Sequence, residues 1–203
     1  PSGAWGGRSD VLIDGSVVVT GQASVGAVFG GGDEHEVTLE PTSENWFVGF
    51  MARYGPGGAL AWVKTIGIYG PIVSFHPDGT LLAVSDFGQD GVVLEEGEPD
   101  EVVLQPPDSG HGMFVASYDH EGDLQWVAEN EVLHDADGAG IALVDGNWVV
   151  AGRVSEALVL HGVFGGEITL TGGESDLLRA AYSPSGELLW GAASASLEGA
   201  HVD

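Results

Sequence analysis

The chain has 203 residues, 43% of them hydrophobic, with 31 Asp and Glu against five Lys and Arg for a formal net charge of −26. That apolar content can bury a core, while a surface this acidic repels phosphate backbones and anionic bilayers, which argues against nucleic acid as a partner and against direct membrane insertion. Cysteine is absent, so disulfide, thiolate-metal and cysteine-nucleophile chemistry are excluded. No stretch reads as a signal peptide or a transmembrane run. Glycine is abundant, at 34 residues, with no long helical period, which suits many turns between short strands.

In chain order, residues 1–10 read as turn. Residues 11–14, Gly15 and residues 16–20 read as strand, turn and strand. The pattern returns at residues 72–75, Asp78-Gly79 and 80–85, and again at residues 141–144, Asp145-Gly146 and 147–151. Asp-Gly between β-branched runs is a strong hairpin signal, so these aspartates are read as turn residues rather than catalytic acids. Variable segments follow at 22–44, 86–110 and 153–175, each with a short strand-like core (37–39, 102–104 and 168–170). Function on repeat scaffolds tends to sit in such loops.

Each variable segment leads into the most regular feature of the chain. Tyr54-x3-Gly58-x3-Trp62 is followed by Tyr118-x3-Gly122-x3-Trp126 and Tyr182-x3-Gly186-x3-Trp190. The step is 64 residues both times. Leu60, Leu124 and Leu188 keep it, as do Ala52, Ala116 and Ala180. So many positions in one register define three copies of one unit. Alternation puts Phe50, Ala52 and Tyr54 on one face of a strand and Met51 and Arg53 on the other. Gly58 and its counterparts lie in hairpin turns, and the Trp returns on the next strand. The three tryptophans are expected to be buried in equivalent positions.

The expected fold is all-β. Units at 1–67, 68–131 and 132–203 each supply about four main antiparallel strands and one further short one. The sequence starts and stops in mid-phase of the unit. Unpaired sheet edges are templates for association, and closed propellers have about 4–8 blades. The chain is therefore expected to be part of a larger propeller or assembly, with further blades or copies of itself as partners.

The order Asp-Gly hairpin, Val-Val-Val-Thr-Gly or Val-Val-Ala-Gly, Phe-Gly-Gly-Gly, then Phe-Val-Ala-Ser-Tyr-Asp-x-x-Gly-x-Leu-x-Trp resembles the bacterial β-propeller repeat often called SBBP. That family occurs in large secreted or surface proteins. The resemblance implies propeller-like blades and an extracellular or cell-surface location, and it is tied to no single activity. The long segment between second and third strands and the low blade count depart from the family pattern.

The sequence contains no nucleophile elbow, phosphate loop, His-Glu-x-x-His or dinucleotide fingerprint. The histidines form no close metal-ligand pairs. Carboxylates are the dense chemistry: Asp33, Glu34 and Glu36 surround His35, and Glu95, Glu96, Glu98, Asp100 and Glu101 form a run. Asp135 and Asp137 carry the Asp-x-Asp-Gly start of many calcium loops, without the full twelve-residue pattern. Calcium is therefore the candidate cofactor, with a solvated turn as the plainer reading.

Trp46, which stands outside the Tyr-Gly-Trp register, and Trp148 are candidate aromatic platforms for carbohydrate. Paired carboxylates hydrolyse glycosides only across a shared cleft, and nothing in the sequence places two of them so. The leading expectation is a non-catalytic scaffold that binds protein partners or further blades. A carbohydrate-binding module and a blade segment of an extracellular hydrolase are the alternatives.

Overall fold

A computed structural model describes residues 4–24, 26–39, 47–67, 70–105, 112–132, 135–155, 157–171 and 176–194, the side chains of 4–6 and 131–139 excepted. These residues contain eighteen strands and no helix. The strands β1 (Ala4–Val11) and β2 (Val17–Ser24) are followed by a small hairpin of β3 (Val28–Phe29) and β4 (Val37–Thr38), then by β5 (Phe47–Tyr54) and β6 (Leu60–Thr65). They form an antiparallel sheet in the order β1-β2-β5-β6, with β3 and β4 paired apart from it. The order recurs with β7 (Ile72–Phe75), β8 (Leu81–Phe87), the hairpin β9 (Val92–Leu94) and β10 (Val102–Leu104), β11 (Gly112–Tyr118) and β12 (Leu124–Val132). It recurs once more with β13 (Asp135–Val144), β14 (Asn147–Ser155), the hairpin β15 (Ala157–His161) and β16 (Glu167–Thr171), β17 (Asp176–Tyr182) and β18 (Leu188–Ala193).

The third hairpin does more than the other two. Backbone pairs Glu131↔Val159 and Val132↔Leu158 attach β15 to the free edge of β12. The second sheet thereby becomes six-stranded, in the order β16-β15-β12-β11-β8-β7, while the third keeps four strands, β13-β14-β17-β18.

Three sets of four antiparallel strands, twelve in all, form the bodies of the main sheets, as the sequence led us to expect, and β15 and β16 extend the second. Two expectations need correction. Residues 4–10 are strand, not turn, and 135–140 lie in strand as well. Both stretches are glycine-rich because each carries a bulge, between Gly6 and Arg8 in β1 and between Gly138 and Gly140 in β13. Close approach adds a second demand: a Cβ on Gly70, just ahead of β7, would lie 2.6 Å from the Gly21 backbone of the neighbouring sheet. The turn begins one residue past β1, where Leu12 N–H donates to Ser16 O at 2.8 Å and Gly15 takes a φ of +82°. The second correction is that the variable segments hold two short strands each rather than one.

The sheets pack face to face through side-chain alternation. Phe50 and Ala52 lie with Phe29 and Leu39 of the first small hairpin in one cluster. Met51, on the opposite face, joins Val18 and Ile66 in a cluster with Leu81, Phe87, Phe114, Ala116 and Tyr118 of the second sheet. Met113 and Val115 face the other way again, into a cluster with Trp148, Val150, Leu178, Ala180 and Tyr182 of the third. Each fully buried Leu or Phe in these layers is worth about 1.5–3 kcal/mol over its exposed state. The layers, not the strand edges, therefore hold the sheets together.

Candidate functional site

The tryptophans of the 64-residue step form the joints between successive sheets. Trp62 stands opposite Arg53 on β5, Trp126 opposite Ser117 on β11, and Trp190 opposite Ala181 on β17. That register turns Trp62 and Trp126 toward the sheet that follows. Trp62 Nε1 donates to the His120 carbonyl at 3.2 Å, and Trp126 Nε1 donates to the Pro184 carbonyl at 2.9 Å. In both cases the acceptor lies two residues before a turn glycine of positive φ, Gly122 (+90°) or Gly186 (+86°).

Those glycines have no room for a side chain. A Cβ on Gly122 would sit 2.9 Å from the Trp62 ring, and one on Gly186 would sit 2.8 Å from the Trp126 ring. Trp62 is half-buried and Trp126 is 8% exposed, whereas Trp190 is 43% exposed. The expectation of three equally buried tryptophans is thus met at Trp126 and corrected at Trp62, which is half-buried, and at Trp190. Its register is the same, but among the described residues no further turn covers it.

The first joint also carries charge. Arg53 donates through Nη2 to Asp14 Oδ2 at 2.8 Å and through Nε to Ser16 Oγ at 3.1 Å, and its Nη1 reaches the His120 carbonyl. Lys64, the sole lysine, pairs with the buried carboxylate of Glu95. Glu95 sits at a φ of +54°, an unusual conformation for a non-glycine residue. Burial pushes the Glu95 carboxyl above its ordinary range, against the pull of Lys64. The same burial raises the Tyr118 hydroxyl, with the Glu95 charge adding to it.

A pocket of about 390 Å³ opens at the tips of the first two sheets. The turn after β1 supplies Leu12, Ile13 and Asp14, and Asp10 stands on β1 itself. Arg53 comes from the end of β5, Phe75 to Gly79 from the turn after β7, and His120 from the turn after β11. Hydrogen bonds from the Ser16 hydroxyl and backbone, with the Arg53 charge, hold the Asp14 carboxyl below its ordinary range. Burial pushes Asp78 up, but hydrogen bonds from Thr80 and the nearby His76 outweigh it and hold Asp78 low. His76 Nδ1 lies 2.9 Å from Asp78 Oδ1. The pocket therefore offers ionised carboxylates, a guanidinium and two imidazoles to a small polar ligand. Four separated segments converge there, and no local motif announces it.

The carboxylate clusters and candidate residues are placed as follows. Trp148 is a core residue, 1% exposed, packed edge-on to His76 with ring centroids 6.1 Å apart. Alternation along β14 puts it inside with Val150 and Val154, so it is not a loop platform. Trp46 lies outside the described residues. Asp135 and Asp137 pair through their backbones with Ser155 and Arg153 on β14, an extended ladder in place of the tight turn expected; their side chains lie outside what is described.

The two acidic runs fold into matching loops between the paired short strands. Glu36 caps the Gly32 N–H at 2.8 Å and Glu101 caps the Gly97 N–H at 2.8 Å. Among the described residues no three His, Asp or Glu converge as a metal site. No model of a known protein family matches the sequence, and no curated protein matches it significantly.

Proposed function

We propose that this chain is a non-catalytic scaffold of propeller-like blades, secreted or on the cell surface, that acts by joining protein partners or further blades of its own kind. The observation that carries this reading is the twice-used joint, an indole laid on the turn glycine of the next sheet and donating to its carbonyl. Repeat arrays draw stability from such nearest-neighbour interfaces. The three sheets of equal strand order fit blades around an axis, and the resemblance of the repeats to those of secreted and surface proteins supports the location. The chain carries 31 Asp and Glu against five Lys and Arg, a charge balance that disfavours polyanionic partners.

One observation favours a second reading. The tip pocket, with Arg53, Asp14, His76 and Asp78 around an apolar floor of Leu12 and Phe75, has the mixed lining of a carbohydrate or other small polar-ligand site. A glycan array separates the two. The scaffold reading expects no glycan signal above background. A signal that Asp78→Asn or Arg53→Ala abolishes replaces it with the carbohydrate-binding reading.

A further inference from the structure

The ends of the stack carry the two halves of one more joint. At one end Trp190 is turned outward, 43% exposed, on the face of β17 and β18 that also carries Arg179 and, further along β17, the exposed Leu177. At the other end the turn 55–58 has the same hydrogen bonds as the turns that receive Trp62 and Trp126. Gly55 N–H donates to Ala59 O as Asp119 N–H does to Asp123 O and Ser183 N–H to Glu187 O. Gly58 N–H donates to Gly55 O as Gly122 N–H does to Asp119 O and Gly186 N–H to Ser183 O.

Gly58 has the same positive φ, +84°, yet among the described residues a Cβ placed on it would meet nothing within 4 Å. Pro56 stands where His120 and Pro184 stand, two residues before the glycine, with its carbonyl in the position that accepts an indole N–H in the other two joints.

The geometry points to a second copy of this chain as the occupant, docked head to tail so that its turn 55–58 seats on Trp190 and its Pro56 carbonyl accepts the Nε1 proton. This proposal rests on the scaffold reading and gives it a specific interface. The fit is also electrostatic. The turn Gly55-Pro56-Gly57-Gly58 carries no charge, and neither do Leu189, Trp190 and Gly191. Ala192 occupies the position of Lys64, and Gly30, whose positive φ matches that of Glu95, occupies the position of its acidic partner, so neither half of that ion pair is left alone; Arg179, opposite Ala192 on β17, is exposed on the same face and meets a copy of net charge −26. A head-to-tail contact is heterologous, and two such contacts close a pair into a ring. Six sheets then lie within the range of about 4–8 blades at which propellers close. Each copy carries a net charge of −26, so added salt tightens the pair by screening repulsion.

The test is sedimentation velocity of the 203-residue chain from about 1 to about 200 µM, with Trp190→Ala and Gly58→Asn as separate variants. Asn accepts a left-handed backbone and meets open space at position 58 in the single copy, so it blocks the seat while leaving the fold intact. Wild type is expected to dimerise, more tightly in high salt. Each variant alone is expected to weaken association by about tenfold or more, as loss of a central Trp contact does. An equimolar mixture of the two variants is expected to recover dimers, because Trp190 of one chain still meets Gly58 of the other.

A wild type that stays monomeric overturns the proposal. So do variants that associate as wild type does, or a mixture no better than either variant alone. A monomeric wild type with a blank glycan array removes the joint and leaves the scaffold reading standing. A pocket-dependent glycan signal removes the scaffold reading whatever the sedimentation shows.

Discussion

Trp126 stacks on Tyr182 of the following sheet, with ring centroids 6.2 Å apart and planes inclined by 28°. The same indole donates its N–H to the Pro184 carbonyl. One side chain thus meets both the strand and the turn of its neighbour, combining aromatic burial with a directional bond. Trp126→Ala is expected to cost about 3–5 kcal/mol, as deletion of a core aromatic does. Trp190→Ala, at concentrations where single copies prevail, should cost about 1 kcal/mol or less because its site is open. Urea midpoints of the two variants check the contrast, and equal losses would refute the joint.

The turn glycines offer a second comparison that isolates the contact from the backbone. Gly58, Gly122 and Gly186 share a positive φ, so alanine strains all three by about 1–2 kcal/mol. Gly122→Ala and Gly186→Ala also push a Cβ into an indole, adding about 1–3 kcal/mol of overpacking. Gly58→Ala should show the backbone cost alone in the single copy. Thermal melts of the three variants at low concentration measure the difference.

The Lys64–Glu95 pair gives a pH signature. The folded Glu95 carboxyl is raised above its ordinary 4.5, mainly by burial. The folded state therefore holds that proton more firmly than the unfolded state. The stability contributed by this group is fully present below the unfolded value of about 4.5 and is lost as pH rises through the raised folded value. Relative to Glu95→Gln, wild type is expected to gain stability as pH falls from about 7 toward about 4.5. Denaturant titrations of both proteins across that window supply the measurement, and a gap that widens in the opposite direction would contradict the buried-carboxylate account.

Asn130 anchors the third hairpin. Buried on β12, it accepts the His161 backbone N–H at 2.9 Å and the Tyr182 hydroxyl at 3.3 Å. Asn130→Ala strands both donors, at a cost of about 1–3 kcal/mol. Hydrogen exchange is expected to quicken first across 157–171, because that hairpin keeps only two backbone pairs to β12 while β8 and β11 keep full ladders.

Much of the strand framework was legible in the sequence, and the reasons are physical. The 64-residue step is legible because the same Tyr, Gly and Trp recur in each hairpin, and at the two inner joints Trp62 with Gly122 and Trp126 with Gly186 answer to each other across sheets. Alternation placed Phe50 and Ala52 opposite Met51 correctly, since a period of two leaves little choice once both faces are buried. The first strands were misread because glycine at a bulge, as at Gly6 and Gly138, looks like glycine in a turn. Strands as short as β3 and β9 are too brief to show a period at all. Trp148 stands two residues past an Asp-Gly turn, near the strand end, and so reads as a candidate platform, although Val150 and Val154 carried the inward alternation that buries it. The tip pocket was not legible, because Asp14, Arg53, His76 and His120 meet only once two sheets have stacked.

The attachment of β15 to β12 sets an order of events during synthesis. Chains emerge from the ribosome N-terminus first and fold as they emerge. The strands of 72–132 can assemble as soon as they clear, yet the outer edge of β12 has no partner until residues 157–161 appear. At about 5–20 residues per second, the roughly 25 intervening residues take about 1–5 s. Throughout that interval β12, paired with β11 on one side, leaves the outer edge at Glu131 and Val132 open. A translational pause between residues 132 and 157 is expected to prolong that exposure, because open strand edges are templates for association.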